Sequence, residues 1–370
     1  DCLICHDQSG TYKKVPTQAG APDPTVDLDI VARSVALNGG KPTRQNCTFC
    51  HANAGGGDNV KHGDIAMALL DTTREFDVHM GTDGGNMECV DCHQVMRNVD
   101  GQLVDHGIGG MPYHSVDEGE MKQCDDCHGG PATAHVLSPA STQSLVTDHD
   151  RLACQVCHIP AFARDTSTKT EWYWEDAGQD IDPIPVDPDT GRPTYDKKKG
   201  TFVWENDVRP TLLYFDGKWD RMMINKNDQY AELPVVLAKP TADYTTPGAM
   251  IYPFKKMIGN QPADATLNKI LVPHLFGGKG GPNPFWAKYD WDLALRDGAA
   301  YTGVEYSGDY RFVDTFMYLT VNHEVAPAEQ AYGQGGACGD CHFDNKIDWQ
   351  ALGWTDDPIP LIGGERIPLP

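Results

Sequence analysis

Cys89-Val-Asp-Cys-His93 is one of six copies of a single pattern. The others are Cys2-Leu-Ile-Cys5-His6, Cys47-Thr-Phe-Cys50-His51, Cys124-Asp-Asp-Cys127-His128, Cys154-Gln-Val-Cys157-His158 and Cys338-Gly-Asp-Cys341-His342. Cys-x-x-Cys-His is the attachment signature of a c-type haem. The two thiols add across both vinyl groups of one porphyrin, and the next residue then lies under the iron. The pattern makes His6, His51, His93, His128, His158 and His342 the proximal ligands. All 12 cysteines are used as thioether donors, for six haem c groups. Two other chemistries use paired cysteines. Zinc bound by four thiolates needs two Cys-x-x-Cys pairs but gives no reason for a histidine after each of six. A disulfide framework has no use for six identical two-residue loops.

Eight histidines remain, against six irons that each need a sixth ligand: His62, His79, His106, His114, His135, His149, His274 and His323. A lone histidine is ordinarily a satisfied core or surface residue. Here the demand for iron ligands reverses that expectation. Methionine is the alternative and raises the potential, but the spare histidines lie beside the motifs more consistently than the 11 methionines do. Bis-histidine ligation of most or all six haems is therefore expected. The surplus of two leaves room for surface residues, for haems on upstream sequence, or for a ligand to a neighbouring subunit. Doubly ligated iron has no exchangeable position and transfers electrons only.

The composition fits a chain wrapped around cofactors. Only 40% of the 370 residues are hydrophobic, while Gly (38) and Pro (26) are plentiful. The formal net charge of −23 argues against nucleic acid and against adsorption to anionic lipid, both of which need a basic face. No apolar run approaches the roughly 20 residues of a spanning helix. No signal peptide is visible, yet c-haem is attached outside the cytoplasm, and Cys2 is an odd place for a mature chain to begin. Upstream sequence is expected, and with it a periplasmic or extracellular location.

Four segments are expected. Residues 1–160 carry five motifs, with short helices after each and one candidate helix from His62 to Phe76. Residues 161–310 are Cys-free and aromatic-rich, within a longer Cys-free stretch that holds Trp172, Trp174, Trp204, Trp219, Trp286 and Trp291. These aromatic residues read as core rather than as a substrate cage. Thr201-Phe-Val-Trp204 and Thr211-Leu-Leu-Tyr-Phe215 read as strands, with a hairpin turn at Asp216-Gly217. Asp187-Pro-Asp-Thr-Gly191 reads as a plain turn, because its twelfth position, Lys198, cannot serve as the calcium-loop glutamate. Residues 311–356 return to helix and to the sixth motif, and 357–370 form an extended Pro-rich tail. The fold class is a multihaem cytochrome c: loop-rich, with short α-helices wrapped around haems, and a haem-poor, Trp-rich segment with some β-strand.

Longer stretches resemble one family. They include Asp1-Cys-Leu-Ile-Cys-His-Asp-Gln-Ser-Gly-Thr-Tyr-Lys-Lys14, Val60-Lys-His-Gly-Asp64, Asp77-Val-His-Met80, Cys154-Gln-Val-Cys-His-Ile-Pro160 and Asp196-Lys-Lys-Lys-Gly-Thr-Phe-Val-Trp204. Together with Cys338-Gly-Asp-Cys-His342 they resemble octahaem tetrathionate reductase-type cytochromes over most of the chain. The resemblance implies a periplasmic or extracellular protein with closely stacked bis-histidine haems. It also implies reduction of tetrathionate, nitrite or hydroxylamine at a haem attached through Cys-x-x-Cys-Lys. This sequence departs from the family there: it has six motifs and none ends in lysine, so no catalytic residue is assigned.

Two functions follow. The first is extracytoplasmic electron transfer to redox partner proteins or extracellular acceptors, with self-assembly into a conductive filament (a nanowire) as one form of it. The alternative is a reductase of sulfur or nitrogen oxyanions with one open haem, where Lys61 or Arg74 could hold the anion.

Overall fold

The computed structural model describes residues 2–15, 21–98, 100–110, 120–222, 228–277, 279–343 and 346–358. The chain divides into two compact units. The first comprises Asp1–Thr166 and Asn322–Ile347, and the second Ser167–Val321 and Asp348–Pro370. All six motifs fall in the first unit.

The first unit is built from short helices. They are α1 (Cys2–His6), α2 (Leu28–Leu37), α3 (Arg44–His51), α4 (Cys89–Cys92), α5 (Cys124–His128), α6 (Pro131–Ala134), α7 (Ala140–Asp148) and α8 (Cys154–His158). Five of them contain the motifs themselves; helices were expected after each motif, and only α6 directly follows one. The sixth motif begins as a 3-10 turn, Cys338–Asp340. The helical spacing has a chemical consequence. Residues three and four apart share a helix face, so in the four motifs that are helical throughout, beginning at Cys2, Cys47, Cys124 and Cys154, both thiols and the imidazole share one face.

The motif sequences also supply their own helix starts. The residue before the helix donates its N–H to a side chain three positions on: Thr43 to Asn46 Oδ1 (2.9 Å), Glu88 to Asp91 Oδ2 (2.8 Å) and Gln123 to Asp126 Oδ2 (2.7 Å). Such bonds pair donors that a helix terminus leaves unsatisfied. Asp91 and Asp126 are the variable residues of their own motifs.

A three-stranded sheet crosses the same unit, in the order β2 (Leu103–Ile108), β1 (His93–Arg97), β3 (Glu120–Met121). The helix expected from His62 to Phe76 shrinks to one 3-10 turn, Met67–Leu70. Asp58 Oδ1 accepts from Met67 N (2.8 Å) there. At Gly85 a Cβ would stand 2.6 Å from the carbonyl oxygen of His79, so glycine there lets the chain pass close to the His79 backbone.

The second unit is an eight-stranded sheet. Its strands are β4 (Thr168–Tyr173), β5 (Tyr195–Asp196), β6 (Gly200–Glu205), β7 (Thr211–Phe215), β8 (Trp219–Arg221), β9 (Val235–Pro240), β10 (Met250–Asp264) and β11 (Tyr310–Thr320). The order is β5-β6-β4-β10-β11-β9-β8, with β7 also on β10. β10 and β11 run antiparallel from Phe254↔Thr320 to Asp264↔Tyr310. Residues 315–321 were expected to return to helix, but 315–320 lie in β11. The stretch is rich in β-branched and aromatic residues, which favour a pleated surface. Thr201–Trp204 and Thr211–Phe215 are strands as expected. Gly217 (φ 87°) makes a turn, but it is not a hairpin turn, because β7 pairs with β10 and β8 with β9.

α9 (Phe285–Lys288) and α10 (Trp291–Thr302) complete the second unit. Asp290 Oδ1 caps α10 by accepting from Leu293 N (3.0 Å). The aromatic residues pack against one another as core. Phe254 is fully buried among Phe215, Trp219, Tyr252 and Tyr318. Trp172 and Trp174 stack at 5.0 Å. Asp187 forms the plain turn expected, with its carboxylate accepting from Asp189 N and Thr190 N. No helix among the described residues is long and apolar enough to cross a membrane. Residues 359–370 of the Pro-rich tail lie outside the described residues.

Candidate haem-binding sites

Five pairs of imidazole rings stand in the first unit, and each joins one motif histidine to one spare histidine. The centroid separations are 5.6 Å for His6 and His106, 6.0 Å for His79 and His128, and 6.2 Å for His93 and His323. They are 6.0 Å for His135 and His158 and 6.3 Å for His149 and His342. A metal–imidazole bond is about 2 Å, and roughly 1 Å more reaches the ring centre, so two imidazoles on one metal have centres about 6 Å apart. The pairs match that span.

The rings are held from behind. Nδ1 of His6 bonds the carbonyl of Gly40, and that of His93 the carbonyl of Gly109 at 2.7 Å. Nδ1 of His135 and of His149 bond the carbonyls one helical turn back, Pro131 (2.7 Å) and Leu145 (2.9 Å). A carbonyl only accepts, so Nδ1 carries the proton and Nε2 keeps its lone pair for iron. This is the usual outer support of a metal-bound histidine. Burial lowers the pKa of His79, His93 and His158, which favours the neutral imidazole, the form that can bind a metal.

His323 is supported by a carboxylate instead. Asp64 Oδ2 accepts from His323 Nδ1 (3.0 Å), and also from the backbone N–H of Asn322 (2.8 Å) and His323 (3.0 Å). Asp64 is 1% exposed. Burial disfavours the charged imidazole, but Asp64 overrides it and holds His323 up to about 9. A second buried acid, Asp77, ties the His79 loop to the same returning segment. Its Oδ1 accepts from His79 N and Met80 N, and its Oδ2 from Glu324 N and Val325 N. Neither acid was singled out as functional in the sequence, although both lie in stretches that carry the family resemblance.

The remaining candidates sit apart from these pairs. Among the described residues, no histidine ring faces His51. His62 lies near Asp64 and acts on its charge. His114 is outside the described residues. His274 belongs to the second unit, where it is buried, with Nδ1 3.5 Å from Asp297 Oδ2 and Nε2 3.1 Å from the Phe276 carbonyl. Arg74 is ion-paired with Glu329 at 3.0 Å.

The twelve cysteines form no disulfide with one another, and most are exposed. Among the described residues no three or more His, Cys, Asp or Glu side chains gather into a bare-metal site. Paired thiols and an imidazole on one helix face, with a second imidazole about 6 Å beyond the first, fit a covalently attached porphyrin and its iron. These features define a c-type cytochrome with several haems.

The comparisons with known proteins agree. The family model for bacterial cytochrome c matches residues 169–345. The crystal structure of an octahaem cytochrome c from Shewanella oneidensis superposes with a TM-score of 0.80 and 37% identity, covering 99% of this chain and 78% of that one. An uncharacterised protein of Archaeoglobus fulgidus is 33% identical over a stretch spanning 25% of this chain and 35% of that protein. The chain thus spans about a third of that curated relative. The chain belongs to the multihaem cytochrome c family.

Proposed function

We propose that this protein carries electrons outside the cytoplasm through six covalently attached c-type haems, most of them ligated by two histidines. The five mixed histidine pairs carry this reading: each brings a spare imidazole opposite a motif imidazole at the span of one iron. Haem supplies a reversible one-electron iron couple. The residues hold that couple still. Two fixed imidazoles would hold the iron and keep water and substrate from it, and carbonyl or carboxylate partners hold each supported ring in one tautomer. Little needs to rearrange when charge arrives or leaves. Redox proteins or extracellular acceptors are the partners this chemistry serves.

Mass spectrometry of the purified protein tests the cofactor count, with six haems expected per chain. A spectroelectrochemical titration tests the couple, with six electrons taken up reversibly. Fewer than five of either would contradict the reading. A conductive filament is the polymeric form of the same function, in which copies of the chain pass electrons to one another. Imaging of purified material decides between filaments and single particles.

A second reading is a reductase, in which one iron with an open sixth position would bind and reduce nitrite, hydroxylamine or tetrathionate. Turnover of any of the three with a reduced dye as electron donor would support this reductase reading, and the absence of turnover on all three would remove it.

A further inference from the structure

We propose that two copies of this chain dock through the second unit across a two-fold axis. A basic aromatic patch on each copy then lies against an acidic aliphatic strip on the other. The claim concerns the second unit alone and is independent of the haem count.

The basic patch is built on Phe276 and Trp286, whose rings stack at 5.2 Å. Backbone bonds from Phe285 N to the His274 carbonyl (2.8 Å) and from Trp286 N to the Leu275 carbonyl (3.0 Å) close the glycine-rich loop between them and fix the pair. Phe276 is nonetheless 68% exposed. Three lysines accompany the rings. Lys198 Nζ stands 5.9 Å from the Trp286 ring centroid, and the Lys198 carbonyl accepts from Trp286 Nε1 at 2.8 Å. Lys279 is carried by the loop, and Lys288 ends α9. All three are exposed, and none is ion-paired among the described residues. The carboxylates close by are engaged elsewhere: Asp290 caps α10, Asp297 accepts from Asn283 N, and Asp196 pairs with Lys199. The chain has 53 acidic residues for 30 basic ones, so unmatched lysines beside an exposed aromatic pair mark a binding surface.

The acidic strip is residues 179–186, which are exposed without a break. It holds three aliphatic side chains in water: Ile181 (37% exposed), Ile184 (50%) and Val186 (57%). Asp182 lies among them, and Asp189 lies in the turn that follows. Neither aspartate is ion-paired among the described residues. The strip is fixed at both ends. The Gln179 carbonyl accepts from the Tyr195 hydroxyl (2.7 Å), and the Pro185 carbonyl from Thr194 N (2.9 Å). Arg192, the cation nearest in sequence, is turned onto the Trp204 ring at 4.7 Å. Three aliphatic side chains held together in water favour a partner that covers them.

The patch and the strip adjoin on one unit. Asp180 pairs with Lys197, the neighbour of Lys198, at 2.6 Å, and Gly178 N donates to the Lys197 carbonyl at 2.7 Å. Adjoining surfaces of opposite sign are self-complementary: a two-fold rotation brings patch onto strip twice. The aliphatic strip then covers Phe276 and Trp286, and Asp182 and Asp189 meet the unmatched lysines. The net charge of −23 makes an unmatched approach of two copies repulsive, so the charge pattern selects this register as well as stabilising it.

Sedimentation equilibrium of the haem-loaded protein at micromolar concentration tests this. The parent should run as two chains. Phe276→Asp in the patch and Ile184→Asp in the strip should each weaken association by about tenfold or more, the effect of losing one buried anchor. Both positions are exposed in the single chain, so an unchanged haem spectrum and melting temperature verify that each variant is folded. An equal mixture of the two variants should associate more tightly than either alone, because a mixed pair keeps one contact in which patch and strip are both intact. A parent that stays a single chain would overturn the proposal, as would a two-chain parent that neither substitution weakens. A mixture no tighter than the separate variants would overturn the pairing of patch with strip, and an open filament in place of a two-chain particle would overturn the two-fold arrangement.

Discussion

Asp64 Oδ2 lies 3.0 Å from Nδ1 of His323, a residue 259 positions away in the chain. The contact places a buried carboxylate behind an imidazole that faces His93. With iron on Nε2, Nδ1 still holds the proton that Asp64 accepts. Pull on that proton makes Nε2 a stronger donor and favours the ferric state.

Asp64→Asn removes the charge and keeps the shape. The haem held by His93 and His323 should then rise in potential on the order of 60 mV, the shift of a one-electron couple for a tenfold change in relative stability of its two states. Spectroelectrochemical titration of the variant against the parent reads this. An unchanged or lowered potential would show that Asp64 serves only to anchor the segment from Asn322.

His135→Ala removes one imidazole from a pair. His135 sits just past α6 with its ring braced on the Pro131 carbonyl, at a half-buried site between exposed neighbours. One haem in six should change from low-spin to high-spin, and added imidazole should restore it. Magnetic circular dichroism detects both steps. A spectrum identical to the parent would remove His135 from the ligand set.

Gly85→Ala places a methyl group 2.6 Å from the His79 carbonyl oxygen. Overpacking of this kind costs about 1–3 kcal/mol. The variant should melt several degrees lower and should disturb the haem ligated by His79 and His128 before the others. A melting temperature equal to the parent's would mean that the His79 loop gives way freely.

How far the sequence reaches is clear from these pairs. Each Cys-x-x-Cys-His motif is local, because five consecutive residues, in four of the six motifs on one helix, carry both thiols and the motif imidazole. The distal partners are not local. His323 reaches His93 only because β11 ends at Thr320 and the chain then passes back into the first unit. The strand at 310–320 had to be recognised first, and its aromatic and β-branched residues were the available signal. His149 and His135 sit beside the fifth and fourth motifs in sequence but face the rings of the sixth and fifth, so proximity along the chain misleads about which motif histidine each one meets. The alternation of Thr201–Trp204 was legible. The pairing of β7 with β10 rather than β8 was not, since register depends on a partner strand far along the chain.

Lys169 offers a test within the second unit. Its side chain is buried, with Nζ 3.1 Å from the Phe202 ring centroid and 4.1 Å from that of Trp172. Burial and then the nearby Lys199 push its pKa down from 10.5 to about 7. Between those values the unfolded chain binds a proton that the folded chain does not, so stability rises with pH across this window and is lowest below it. Lys169→Met should flatten that slope and raise the melting temperature at pH 7. Parallel melting curves at pH 7 and pH 10 for both proteins check the sign, and a variant that keeps the parent's slope would contradict it.

The most direct test of the central claim, that paired histidines hold the irons, is low-temperature EPR of the oxidised protein with spins integrated per chain. At least five of the six irons should be low-spin ferric with the signature of two imidazole ligands. Two or more high-spin irons per chain would contradict the account.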